Sequence, residues 1–325
     1  MNGSFYQNDF TRAINFHKKN IRSHSVRIGI CILLFLSAPL FLSVGLSITG
    51  LFEKYSDNLI LQYCTEMFLM VLFLFVPFFV VYLFADKGSK KAIIQSLEKP
   101  VSPTLFLLSI PFGLMLCFAG DYVSSVISSL FESIGITLTS IPEFEIPTSG
   151  PELFLFAFST IVPPAIIEEF ALRSVTMQPL RKYGDLFAII MTALVFGLMH
   201  RNAVQGIFAF IAGLVFGYIA VATNSVWPAV IVHALNNGFS VLLNVLMEVN
   251  EERANSVYAL VVSIVMVTGI LSAVLFFVIG DRNKPKNKMP FLPLKEKCSS
   301  FFINIPIVIS FIIMILYTIF GDFNG

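Results

Sequence analysis

Residues 151–180 read PELFLFAFSTIVPPAIIEEFALRSVTMQPL, an apolar run that carries Glu168, Glu169 and Arg173 inside it. About 20 apolar residues span the hydrocarbon core of a bilayer, so the run has the length of a membrane helix. An ionised side chain in such a helix costs about 2.5 to 3.5 kcal/mol on insertion scales, and three of them require partners or a chemical role.

The composition of the whole chain agrees with a membrane setting. Of the 325 residues 56% are hydrophobic and only 13% charged, where a soluble domain has about 25% charged residues. The mean hydropathy is +0.84. The net charge of +1 gives no sign of nucleic-acid binding. The four cysteines, Cys31, Cys64, Cys117 and Cys298, form no CxxC motif, so they suggest neither a disulfide framework nor a thiolate metal site.

Apolar runs mark nine spans, near 28–50, 60–85, 103–131, 152–179, 184–200, 203–223, 226–247, 256–280 and 300–320. The first follows a basic tail but is longer than the apolar region of a signal peptide, and reads as a retained helix. If the N-terminus is inside, 17 of the 21 Lys and Arg residues fall in inner segments. These segments are the tail, the loop with Lys87, Lys90, Lys91 and Lys99, the pair Arg181 and Lys182, and the loop after span eight. The positive-inside rule then predicts N-in, C-out. The outer loop 132–152 is acidic, with Glu132, Glu143, Glu145 and Glu152. Such an arrangement suits a bacterial cytoplasmic membrane.

Glu169 and Arg173 are four residues apart, so on a helix they share a face and can pair, while Glu168 points elsewhere. A carboxylate without a local counter-charge needs a partner on another helix or stays protonated. Pro163 and Pro164 remove two amide donors one turn upstream, which predicts a kink and room for water beside Glu168. Two of the four histidines, His17 and His24, lie in the basic tail and are expected to be solvated. The other two lie on helices: His200 ends the fifth span, and His233 shares a face of the seventh with Asn237, from which Asn236 points away. Ala209, Gly213 and Gly217 form a small-residue stripe on the sixth, read as a packing seam that draws spans four, five and seven together. His200 falls at the outer end of its span and His233 nearer the inner end of its own. The expectation is that HRNAVQ (200–205) stays below the surface beside a water-filled cavity, with short fifth and sixth spans forming a sunken hairpin.

Three motifs in order, Glu-Glu-x-x-x-Arg (Glu168, Glu169, Arg173), Phe-x-x-x-His (Phe196, His200) and His-x-x-x-Asn (His233, Asn237), resemble those of the type II CAAX prenyl endopeptidases, a superfamily that includes bacteriocin-processing enzymes. The resemblance covers about residues 150–248 and implies an intramembrane endopeptidase acting on a hydrophobic or membrane-bound peptide or protein. It implies Glu168 as the base that activates water, with His200 holding or polarising that water. It also implies His233 and Asn237 as stabilisers of the oxyanion, and Glu169 and Arg173 as structural support. The fold expected is an all-α polytopic membrane bundle of about nine spans with a protease core of about eight helices. Its parts would be tail and spans one to three (1–150), catalytic core (151–248) and C-terminal spans with a basic loop (249–325).

Glu168, His200 and His233 can also supply three ligands to a zinc ion, with water as the fourth. The His-Glu-x-x-His spacing of zincins is absent, which favours a metal-free site. Two readings of other classes use the same residues: a catalytically silent scaffold or immunity protein binding a peptide in the cavity, and a proton-coupled transporter. The transporter predicts internal repeats, and no repeat is visible.

Overall fold

The computed structural model describes residues 3–135, 138, 146–148, 150–279 and 284–320, with side chains at all of these but 3–9 and 317–320. Glu143 and Glu145 of the acidic loop lie outside the described residues. The elements are α1 (Gly3–Thr49), α2 (Phe52–Ser56), α3 (Leu59–Met70), a π-helical segment (Val71–Phe75), α4 (Val76–Leu83), α5 (Lys87–Ser96), α6 (Pro103–Ser133), α7 (Gly150–Glu169), a second π-helical segment (Phe170–Thr176), α8 (Met177–Leu180), a 3-10 turn (Arg181–Tyr183), α9 (Asp185–Met199), α10 (Ala203–Thr223), α11 (Trp227–Val249), α12 (Glu251–Val278), α13 (Leu294–Phe302) and α14 (Ile305–Phe320). No strand occurs among the described residues. Helix starts are marked by polar caps: Asn58, Asp86, Ser102, Asn202 and Asn250 each accept the amide N–H three residues on.

Seven helical stretches are long and apolar enough to cross a membrane, and an eighth if the bent pair α13 and α14 counts as one span. The expected nine therefore need correction at two places. The fifth, α9, has 15 residues, about 22 Å at 1.5 Å per residue, which is short of the hydrocarbon thickness of about 30 Å. The ninth is broken by a 79° bend between Phe302 and Ile305. Asn304 sits in the bend and satisfies its backbone, donating from Nδ2 to the Phe301 carbonyl and accepting at Oδ1 from the Ile307 amide.

α10 lies at the centre and packs against α6, α9 and α11. The small-residue stripe is the seam with α9, as expected: a Cβ on Gly213 would lie 3.0 Å from Ala193 Cα, and one on Gly217 3.1 Å from Ile189 Cγ2. One buried core joins the N- and C-terminal helices to the middle, with Ile21, Ile28, Leu74, Ile167, Phe216, Phe301 and Ile307 among its members, and a second, smaller one gathers Leu105, Phe112, Ala222 and Phe276.

The basic segments meet at one end of the bundle. There the Val226 amide donates to the Ser96 carbonyl, Ser225 Oγ to the Glu98 carbonyl and Trp227 Nε1 to the Leu97 carbonyl. Asn224 ends α10 in the left-handed region (φ 53°), and Ser225 Oγ accepts from the Trp227 amide at the start of α11. His17 and His24 are packed rather than solvated: the His17 ring lies 5.9 Å from that of Tyr183, and His24 Nε2 lies 3.0 Å from the Thr176 carbonyl. The tail is the first part of a 47-residue helix, so its histidines are carried onto the bundle.

Candidate active site

The run at 151–180 folds as α7, a π-helical turn and α8 in succession. Pro163 and Pro164 lie inside α7, and the amide that Pro164 lacks is the one that would bond the Thr160 carbonyl. Asn237 replaces it: its Nδ2 donates to Thr160 O at 3.1 Å. The proline pair therefore creates an acceptor that ties α7 to α11. Beyond Glu169 the wider π turn leaves carbonyls for side chains to meet, and Thr176 Oγ1 donates to Ala171 O while Gln178 Nε2 donates to Arg173 O. Such π turns inside α-helices are frequent at functional sites.

Glu169 and Arg173 pair as expected, Oε2 to Nε at 3.3 Å with both side chains fully buried. The contact is a charge pair without well-aligned hydrogen-bond geometry, since neither atom has a hydrogen-bond partner by angle. Aromatic faces supply the rest. The Arg173 guanidinium carbon lies 4.7 Å from the Phe196 ring centre and 5.4 Å from that of Phe216, a cation–π cage of the kind that gains strength away from water. Arg173 also reaches the Gly213 carbonyl at 3.4 Å.

His233 bridges the two glutamates. Its Nδ1 lies 3.2 Å from Glu169 Oε1, and its Nε2 lies 3.9 Å from Glu168 Oε2. Phe216 stacks on its ring at 5.1 Å. With a proton on Nδ1 donated to Glu169, Nε2 is the nitrogen left facing Glu168. His200 is oriented in a similar way, its Nδ1 2.8 Å from the Phe196 carbonyl and its ring edge-on to Phe196 at 4.9 Å.

Glu168, His200, Phe35, Phe196, Met199 and Arg201 line one cavity of about 180 Å³, the room expected beside Glu168. The C-terminal end of the short α9 and the turn after it supply four of its six lining residues, Phe196, Met199, His200 and Arg201. His200 follows a helix of only 15 residues, too short to span a bilayer by itself. The backbone of the turn is satisfied in place, with the His200 and Arg201 amides donating to Gly197 O and Leu198 O. α10 has 21 residues and is full length, so only the first arm of the expected hairpin is short.

The structure thus gathers Glu168, Glu169, Arg173, His200 and His233, and sets Asn237 one turn away on the proline region. Among the described residues no group of three or more His, Cys, Asp or Glu is placed to hold a metal ion. His233 is turned into the glutamate pair, so the donor set Glu168, His200 and His233 does not converge, and a metal-dependent scheme gains no support. Asn236 is also buried. Phe216, Phe35 and Arg201 complete the site and carry no motif that marks them in the sequence.

Fold and site together define an integral membrane protein of helical bundle type, with a buried glutamate–histidine–arginine centre opening on a small cavity. Residues 150–239 match the family model described as Type II CAAX prenyl endopeptidase Rce1-like, in agreement with the resemblance of the three motifs. No curated protein and no solved structure matches the chain.

Proposed function

We propose that the chain is an intramembrane endopeptidase of CAAX type that cleaves a membrane-associated or hydrophobic substrate by glutamate-activated water. The observation that carries this is the position of Glu168: among the described residues it is the carboxylate that lines the cavity, with His200 on the same wall and His233 Nε2 3.9 Å away. A water between Glu168 and a scissile carbonyl gives its proton to the carboxylate as its oxygen attacks the carbonyl carbon. The proton then passes to the leaving amine as the C–N bond breaks. His200, held by its Nδ1 contact to Phe196 O, presents Nε2 to that water. His233, held by Glu169 through Nδ1, carries a second proton on Nε2 in its imidazolium form, and as a donor fixed in a water-poor site it then stabilises the negative charge that develops. Asn237 serves this role only through its helix, because its amide is engaged by Thr160. The reading places the N-terminus inside, supported by the four basic segments that meet at one end.

The test compares membranes carrying the wild-type chain with membranes carrying Glu168→Gln at equal abundance, by mass spectrometry of released peptides and membrane-protein C-termini. Termini present only with the wild type identify substrate and bond; identical profiles would sink the enzyme reading in favour of a peptide-binding scaffold. Cleavage is expected to survive exhaustive chelation, and its loss on chelation with recovery on zinc addition would replace the metal-free scheme.

A further inference from the structure

The end of the bundle where the basic segments meet holds a second cavity, of about 560 Å³, within the range of about 300 to 1,000 Å³ usual for small-molecule sites. Its walls come from α1, the end of α4, the start of α5, the π segment after Glu169, α8 and the 3-10 turn. Three features of this cavity point to an anion at a membrane surface. The first is charge. Arg27 and Lys182 lie on the wall, and neither forms an ion pair among the described residues: Arg27 Nη1 donates to the Phe84 carbonyl at 3.3 Å, and Lys182 Nζ lies 5.2 Å from the centre of the Tyr183 ring. The wall carboxylate, Asp86, feels Lys182 at longer range but is engaged at the start of α5, where its two oxygens accept the Ser89 amide at 3.0 Å and the Ser89 hydroxyl at 2.6 Å. The second is an unmet ring nitrogen: His17, also on the wall, has Nδ1 buried without a hydrogen-bond partner among the described residues, and a buried polar atom left in that way calls for a partner. The third is depth. Arg27 directly precedes the first apolar run (28–50), Phe84 falls at the end of the second (60–85) and Lys182 follows the fourth (152–179), so the cavity lies where hydrocarbon gives way to headgroups. Two of its lining side chains, Phe16 and Phe84, are largely exposed there.

We propose that this cavity binds the phosphate headgroup of an anionic membrane lipid, with Arg27 and Lys182 facing its charge and the acyl chains leaving over Phe16 and Phe84. Phosphate oxygens accept strong hydrogen bonds from both cations, and His17 supplies a further donor in its Nδ1–H tautomer. A phosphodiester without a choline cation is the better fit, because the wall keeps one positive charge after Asp86 is set against Arg27 and Lys182. Occupancy reaches the glutamate–arginine centre through the π segment: Val175 belongs to the wall, and the neighbouring wall residue His24 places Nε2 3.0 Å from the Thr176 carbonyl. Bound lipid therefore braces the segment that carries Arg173. The site shares no lining residue with the Glu168 cavity, and its ligand does not depend on whether the chain cleaves peptides.

The experiment titrates the full chain in detergent with phosphatidylglycerol, phosphatidylcholine or inorganic phosphate. Bound lipid is counted by native mass spectrometry, and the thermal unfolding midpoint is followed, since a ligand of the folded state raises it. Phosphatidylglycerol is expected to bind about tenfold or more tighter than phosphatidylcholine and to raise the midpoint saturably. Arg27→Gln combined with Lys182→Gln weakens it by about tenfold or more, the scale of two basic residues at an anionic headgroup. Lys91→Gln combined with Lys99→Gln removes the same charge from exposed positions outside the cavity and leaves binding near wild type. His17→Phe keeps a ring against Tyr183 but removes the nitrogens, and is expected to weaken phosphatidylglycerol several-fold. Arg27 and Lys182 are exposed, so the lipid-free midpoint of their variant stays near wild type, and mass spectrometry counts lipid on folded protein in any case. Equal binding of the two lipids, or a loss as large in the Lys91 and Lys99 variant as in the Arg27 and Lys182 variant, overturns the site in favour of diffuse attraction to a basic surface. Unchanged binding in His17→Phe overturns the placement in the cavity. A midpoint shift reproduced in full by inorganic phosphate overturns the lipid as the source of the phosphate.

Discussion

Two adjacent glutamates stand in different surroundings, and the difference separates chemistry from stability. Glu169 is wholly buried against Arg173 and His233, whereas Glu168 faces the cavity. Removing the charge of Glu169 leaves the fully buried Arg173 without a counter-ion, and breaking one partner of such a pair costs about 3 to 5 kcal/mol. Glu169→Gln is therefore expected to lower the thermal unfolding midpoint in detergent sharply, whereas Glu168→Gln leaves the midpoint near wild type and lowers cleavage by about 10² to 10⁴. Equal midpoints for the two variants would contradict the division. Asn237 permits a finer test. Its amide meets the Thr160 carbonyl that Pro164 cannot serve, so Asn237→Ala should cost about 1 kcal/mol or more. Pro164→Ala restores a backbone donor to Thr160, and in that background the same substitution should cost measurably less. A double-mutant cycle by unfolding reads the coupling, and strict additivity would show that the Thr160 contact carries none of Asn237's contribution.

Helix α9 positions His200 through its length and through its contact with α10. A Cβ on Gly197 would meet the Gly206 carbonyl oxygen at 2.8 Å, while one on Gly238 meets only Ile161 Cδ1 at 3.6 Å. Gly197→Ala must therefore part the two helices beside His200, and a displacement of about 1 Å at a catalytic group can cost 10²-fold. The expected result is a fall of about that size in kcat with protein still folded, against near wild-type turnover for Gly238→Ala; comparable activity in both would detach helix spacing from catalysis. The sequence shows some of this element-level order and hides the rest. The i, i+4 pair of Glu169 and Arg173 and the small-residue stripe are local patterns with a fixed period, and both are found as read. The π turn after Glu169, the hydrogen bond from Asn237 to Thr160 and the enclosure of Arg173 by Phe196 and Phe216 depend on contacts between distant helices, for which no periodicity exists. Hydropathy also overstated α9 and α14, because an apolar run records solubility in lipid and not whether the helix reaches across it.

At the scale of the molecule, the end of the bundle where the basic segments meet is held together around one buried carboxylate. Asp185, 1% exposed at the start of α9, accepts from Arg181 Nε at 2.8 Å, from Lys288 Nζ at 3.2 Å and from the Lys286 amide at 2.9 Å. It therefore anchors the connection between α12 and α13 to the 3-10 turn that follows α8. The buried Lys297 adds to the same junction, donating to the Tyr183 and Lys288 carbonyls. From there α14 rises along α1, its Ser310 hydroxyl donating to the Gly29 carbonyl. Close approach requires Gly29, since a Cβ there would lie 2.6 Å from the Ile307 amide nitrogen. Asp185→Ala removes the common acceptor of two cations and a backbone amide, and should release the segment around Lys284 to Lys288 without touching the catalytic cavity. Trypsin added to inside-out vesicles is then expected to cut the variant there many times faster than the wild type, while right-side-out vesicles of the variant stay intact. Cutting from the outer side instead would invert the orientation drawn from the basic segments, and equal resistance of variant and wild type would show that packing of Phe187 on Phe301 holds the junction without the charge network.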